Sequence, residues 1–130
     1  KNKGWKKKDV LKIAELYKLF LFLQKKSPES SLPPSEEIDE IWHNHILDTQ
    51  RYIQDCQAIF GRYLHHDPYQ MGDGNASSVN AQRGFEQLQA LHLKEFGDYI
   101  YAVPKRQIFY WPRALFNALK KLFKNLKNVV

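Results

Sequence analysis

Apolar side chains return every three or four residues in four separate stretches of this chain, and that spacing commits it to helices whose inner faces must meet. From about Asp9, a residue type suited to an N-cap, to Lys25, the residues Val10, Ile13, Ala14, Leu16, Tyr17, Phe20 and Leu23 share one face. The prolines and serines of "SPESSLPPS" end that helix. A second helix is expected over 35–60: Ser35 caps it, Glu36 and Glu37 sit at the positive end of its dipole, and Gly61 supplies a left-handed stop. A third is expected over about 78–101 with Phe85, Leu88, His92, Phe96 and Tyr99 inward, and a fourth over 112–127, opened by Pro112. Between the second and third, residues 61–77 read as a long loop rich in Gly, Asn and Ser. Apart from "QIFYW" no stretch alternates with period two, so the expected fold is an all-α bundle of about four helices.

One hundred and thirty residues, 43% of them hydrophobic, suffice for one core, so 1–130 is read as a single domain. Cys56 is the only cysteine, so no internal disulfide can form, which fits a reducing, cytoplasmic compartment. The longest apolar run, Leu19 to Leu23, is far short of the roughly 20 residues that a membrane span needs. Charge is unevenly spread. Residues 1–26 carry nine lysines against Asp9 and Glu15, residues 103–130 carry seven basic groups and no acid, and the stretch between them holds four basic and twelve acidic residues. Basic ends around an acidic centre either fold back on that centre or face an anionic partner.

The densest chemistry lies in "IWHNHILDTQRY", residues 41–52. Turning the helix by 100° per residue from Ile38 places His45 near about 340°, inside the buried stripe, and His43 near about 140°, beside Asp39. The two histidines diverge, and on one regular helix they do not share a metal. Asp39 and His43, four apart, are suited to pair. His65 and His66 are the next candidates. A straight helix from His45 to Gly61 advances roughly 24 Å, and the few extended residues that follow return about 13–18 Å of it, which leaves the tandem pair short of His45. His92, mid-stripe on its own helix, is a weaker partner for His45. The plainer expectation is that His45 and His92 are core histidines satisfied by neighbouring hydroxyls or carbonyls, and that replacing His45 by Ala lowers stability by about 1–3 kcal/mol. Cys56, apolar-facing and without a basic neighbour, reads as an inert thiol.

Pro34, Ser35, Asp39, Trp42, His43, His45, Asp48, Thr49, Tyr52, Cys56, Gly61, His65, His66 and Pro68 together form a pattern that resembles the signature of the glycine-rich domain-containing protein-like family of plants and bacteria. The resemblance covers about forty residues closely, and "FGDYIY" more loosely. It implies a domain whose plant members are connected with stress and developmental responses and some of which carry an RNA-binding segment. Neither that segment nor a glycine-rich tail is recognisable here, where only six glycines occur.

Three functions compete. The first is a non-catalytic interaction or scaffold domain with protein partners, favoured by the lack of a complete catalytic set. The second is a binder of a divalent transition metal, or an enzyme dependent on one, that draws on Asp39, His43, His45, His65 and His66, with His92 behind them. The third is binding to an anionic membrane or a nucleic acid through the basic ends: Lys120, Lys121, Lys124 and Lys127 on the last helix, and Trp5 among Lys6, Lys7 and Lys8.

Overall fold

The computed structural model describes residues 3–28, 32–67, 75–103 and 106–107. Four helices are found among them: Lys7–Lys26 (α1), Glu36–Leu47 (α2), Thr49–Phe60 (α3) and Asn75–Phe96 (α4). Lys3–Gly4 (β1) and Arg106–Gln107 (β2) add a two-residue antiparallel pairing. The architecture is the all-α bundle that the apolar spacing predicts.

α1 is the central helix. It begins at Lys7, where the Lys6 carbonyl accepts the amides of Asp9 and Val10, so Asp9 lies in the first turn and not at the cap. Every residue of its expected inner face is buried, as are Leu21 and Gln24. It packs against α2 and α4. Gln24 holds the turn that follows by donating from Nε2 to the Leu32 carbonyl at 3.1 Å, and Lys26 reaches Glu95 of α4 at 2.7 Å. α4 comes close at Gly84, where a Cβ would stand 2.9 Å from the Pro33 ring.

Ser35 caps α2 as expected, its Oγ accepting from the Ile38 amide at 3.3 Å. The expected single helix over 35–60 is, however, two. At Asp48, φ −83° and ψ 74°, the backbone leaves the helical region, and α3 starts anew at Thr49 beside α2. α2 buries Ile38, Ile41, Trp42 and His45, and α3 buries Tyr52, Asp55, Cys56 and Ile59. Thr49 is exposed because it opens a helix instead of continuing one. Gly61 ends α3 in the left-handed conformation, φ 68°, its amide donating to the Gln57 carbonyl.

α4 starts three residues before its expected limit and stops five earlier, since Gly97, φ 81°, turns the chain before Tyr101 is reached. Of the connection between α3 and α4, residues 68–74 lie outside the described ones. So does the expected helix over 112–127 with Lys120, Lys121, Lys124 and Lys127. Among the described residues no helix is long and apolar enough to cross a membrane.

The chain is drawn together behind α4. The Gln89 side chain accepts from the Ile100 amide at 2.7 Å and donates to the Ile100 carbonyl at 3.1 Å, much as a neighbouring strand does. Glu37 accepts the Val103 amide at 3.1 Å. Trp5 is 1% exposed and donates its indole N–H to the Val103 carbonyl at 2.8 Å. Named among the lysines as an aromatic that could serve nucleic-acid binding, Trp5 belongs instead to the core.

Candidate metal centre

The break at Asp48 builds the site. Because α3 folds back beside α2, the segment after Gly61 returns to α2, and the gap foreseen for one straight helix does not exist. His66 comes to the face that carries Asp39 and His43. Its Nε2 lies 2.5 Å from Asp39 Oδ1 and 3.1 Å from His43 Nε2, and His43 Nε2 lies 3.4 Å from the same Asp39 oxygen. Three atoms able to ligate a metal thus converge from two segments of the chain.

Their chemistry suits a cation better than one another. A neutral imidazole has one N–H, and if His66 Nε2 carries it toward Asp39, no second proton on that nitrogen can serve the His43 contact. Ligand atoms arranged tetrahedrally around zinc at ordinary bond lengths stand about 3.3 Å apart. The 3.1 and 3.4 Å separations match that spacing, and the Asp39–His66 contact must open by roughly 0.8 Å to match it. Exposure is graded: the side chains of His66 and Asp39 are mostly covered at 12% and 21%, whereas that of His43, at 52%, faces solvent. A bound ion would therefore keep an open side.

Behind this cluster the hydroxyl of Tyr52, 1% exposed, accepts from Trp42 Nε1 at 2.9 Å and donates to the Leu64 carbonyl at 2.5 Å. The indole of Trp42 meets the His66 ring edge-on, centroids 4.4 Å apart. Burial pushes the Tyr52 hydroxyl far above its ordinary pKa and raises that of the Cys56 thiol, so both stay protonated at neutral pH.

His45 belongs to a separate, buried network. Tyr17 Oη is 2.8 Å from its Nδ1, and Asp55 Oδ2 is 3.0 Å from its Nε2 and 3.2 Å from Arg51 Nε. Burial lowers the His45 pKa, against the opposing hydrogen bond and charge of Asp55. The ring is therefore neutral, donating from Nε2 to Asp55 and accepting from Tyr17 at Nδ1. With both nitrogens engaged, it offers no lone pair to a metal. His65 is exposed and packs on Tyr63, centroids 4.7 Å apart, outside the cluster. His92 is buried, donates from Nδ1 to the Asp98 carbonyl at 2.7 Å and packs on Phe96.

Of the residues singled out from sequence, then, Asp39, His43 and His66 are brought together, and His45, His65 and His92 are held elsewhere. Tyr17 and Asp55 as partners of His45, and Arg51 as the partner of Asp55, escaped that reading. The four-residue spacing of Arg51 and Asp55 was the available signal, since a paired acid tolerates burial where a lone one does not.

Two plant proteins of Arabidopsis thaliana resemble the chain. Glycine-rich domain-containing protein 1 is 33% identical over 85 residues, which make up 62% of this chain and 10% of that protein. Glycine-rich domain-containing protein 2 is 40% identical over 55 residues, 39% of this chain and 7% of that protein. The chain thus spans a tenth or less of the length of these relatives. No solved structure matches it. A family model described as UCP032817-like matches residues 1–95, the span that contains α1, α2, α3 and the Asp39, His43 and His66 cluster, and the chain belongs to that family.

Proposed function

We propose that this chain is a helical domain that binds a divalent transition metal ion, of the zinc class, through Asp39, His43 and His66. The observation that carries the reading is the convergence of three ligand atoms within 3.4 Å of one another, from residues up to 27 positions apart. Two imidazoles and a carboxylate are a familiar donor set for such ions, and the solvent-facing side at His43 leaves room for water or for a group from another molecule. An ion held there would pin the segment after α3 to α2. Its first effect is on the fold of the domain itself.

The test is metal analysis of protein purified without a histidine tag and dialysed against zinc. One equivalent bound by the unaltered protein, lost in His43→Ala and His66→Ala and kept in His65→Ala, is the expected result. Protein that takes up no zinc, or keeps it in the double variant of His43 and His66, overturns the reading.

A role as an interaction module, with the metal as a structural element, is the second reading. It is supported by Leu47 and Ile53, 78% and 57% exposed, which stand within five residues of the Asp48 break on either side.

A further inference from the structure

We infer that Tyr52 is the positioning residue of this site, its buried hydroxyl bridging Trp42 and Leu64 so that the ring of His66 is presented to Asp39 and His43. The inference rests on the metal reading above and adds the residue that controls it.

Asp39 and His43 are one turn apart on α2 and need no outside help to stay together. His66 is different. It lies on a segment without regular secondary structure, six residues past the end of α3, and its backbone must be held in place by side chains. Two residues before it, the Leu64 carbonyl accepts from Tyr52 Oη at 2.5 Å. The same hydroxyl accepts from the Trp42 indole N–H at 2.9 Å, and Trp42 lies next to His43 in sequence and against His66 in space, 4.4 Å between ring centroids. The Tyr52 oxygen on α3 therefore ties the 64–66 backbone to the aromatic wall on which His66 rests, beside the Cys56 thiol, which also meets the Leu64 backbone. One hydroxyl proton goes to Leu64 and one lone pair takes the Trp42 proton, so losing the oxygen costs both partners a bond in the dry interior. Removing the oxygen loosens the segment that carries His66, the one ligand of the three that no helix holds. Groups that orient a metal ligand from behind typically change affinity by large factors when lost.

The test compares Tyr52→Phe with the unaltered full chain and with Ile13→Val, a core variant on α1 outside both networks that controls for lost stability. Zinc affinity is read by chelator competition, and coordination by the visible spectrum of the cobalt form. Tyr52→Phe should bind zinc about 10–100-fold more weakly and give an altered cobalt spectrum, with Ile13→Val unchanged in both. Tyr52→Phe that stays folded and binds as tightly as the unaltered protein overturns the inference while leaving the metal reading intact. If Tyr52→Phe does not fold, Trp42→Phe decides: it deletes the bridging N–H and shrinks the aromatic wall against His66, and must lose at least about threefold in affinity. An unchanged affinity there overturns the inference. If the unaltered protein takes up no zinc at all, the metal reading fails, and NMR of the metal-free protein decides the positioning role separately. The ring-current displacement of the His66 protons by Trp42 must then vanish in Tyr52→Phe, and its persistence overturns the role.

Discussion

Replacing His45 by Ala removes the centre of a buried chain of hydrogen bonds and should be among the most damaging single changes in the bundle. The ring is 3% exposed, and its loss leaves a cavity between α1 and α2 lined by Tyr17 and Tyr52, whose rings meet it edge-on at 5.8 and 4.8 Å. It also takes from the fully buried Tyr17 hydroxyl its bond to the ring, and from Asp55 its bond to Nε2. The neutral bond to Tyr17 contributes about 1 kcal/mol and the bond to the Asp55 carboxylate about 1.5–3 kcal/mol. The cavity adds a further kcal/mol or so, since the surrounding helices relax only in part. The sum, about 3–5 kcal/mol, exceeds the 1–3 kcal/mol expected when only a cavity and one orphaned partner are considered. It corresponds to a fall in Tm of roughly 10–20 °C for a domain of this size. Urea denaturation followed by Trp fluorescence and circular dichroism measures it. A double-mutant cycle with Tyr17→Phe locates it, because Tyr17→Phe should cost about 1 kcal/mol in the unaltered protein and clearly less in the His45→Ala background. A loss below about 1 kcal/mol, or full additivity in the cycle, would refute the network.

Three further outcomes follow from the geometry. Because burial lowers the His45 pKa below its ordinary 6.5, the unfolded chain takes up a proton there before the folded one does, so stability is fully present above pH 6.5 and is lost as pH falls toward the folded value. Thermal melts between about pH 7.5 and 5 should show a fall in Tm that is shallower in His45→Gln, and parallel slopes would contradict the assignment. Gly84→Ala should lower stability by about 0.5–2 kcal/mol in urea melts, since a Cβ 2.9 Å from the rigid Pro33 ring outweighs the helix-propensity gain. Gly61→Ala meets no neighbouring atom within 4 Å, so its cost is confined to the left-handed backbone, about 1–2 kcal/mol, and a stabilised protein would show that α3 does not end there in that conformation.

Much of the bundle is legible in the sequence because apolar spacing reports which face of a helix is covered. The inner face of α1, the Ser35 cap, the Gly61 stop and the burial of His45 are all read from residue type and 100° steps. The same projection is blind to the break at Asp48. Tyr52, Cys56 and Ile59 stay on the stripe of Ile38 and Trp42 whether the axis continues or turns, since the break redirects the axis and leaves the buried face inward. Asp48, a residue type common at helix starts, was its one mark. The convergence of His66 on Asp39 and His43 depends on that break, so it too was hidden. Trp5 misled for a different reason. Its neighbours Lys6, Lys7 and Lys8 are exposed, and the carbonyl that buries it belongs to Val103, which nothing local to residue 5 can reveal.

That bond between Trp5 and Val103 spans 98 positions and sits beside the pairing of Lys3–Gly4 with Arg106–Gln107. During synthesis Trp5 must therefore wait for the ribosome to make nearly a hundred more residues, roughly 5–20 s at ordinary elongation rates, before its partner exists. For that interval the Trp5 indole lacks its carbonyl partner, next to α1 residues that can already coil. The seam between residues 3–5 and residues 103 and 106–107 thus closes only after α1, α2, α3 and α4 have been made, and a buried indole of the finished fold is a late-buried one during synthesis.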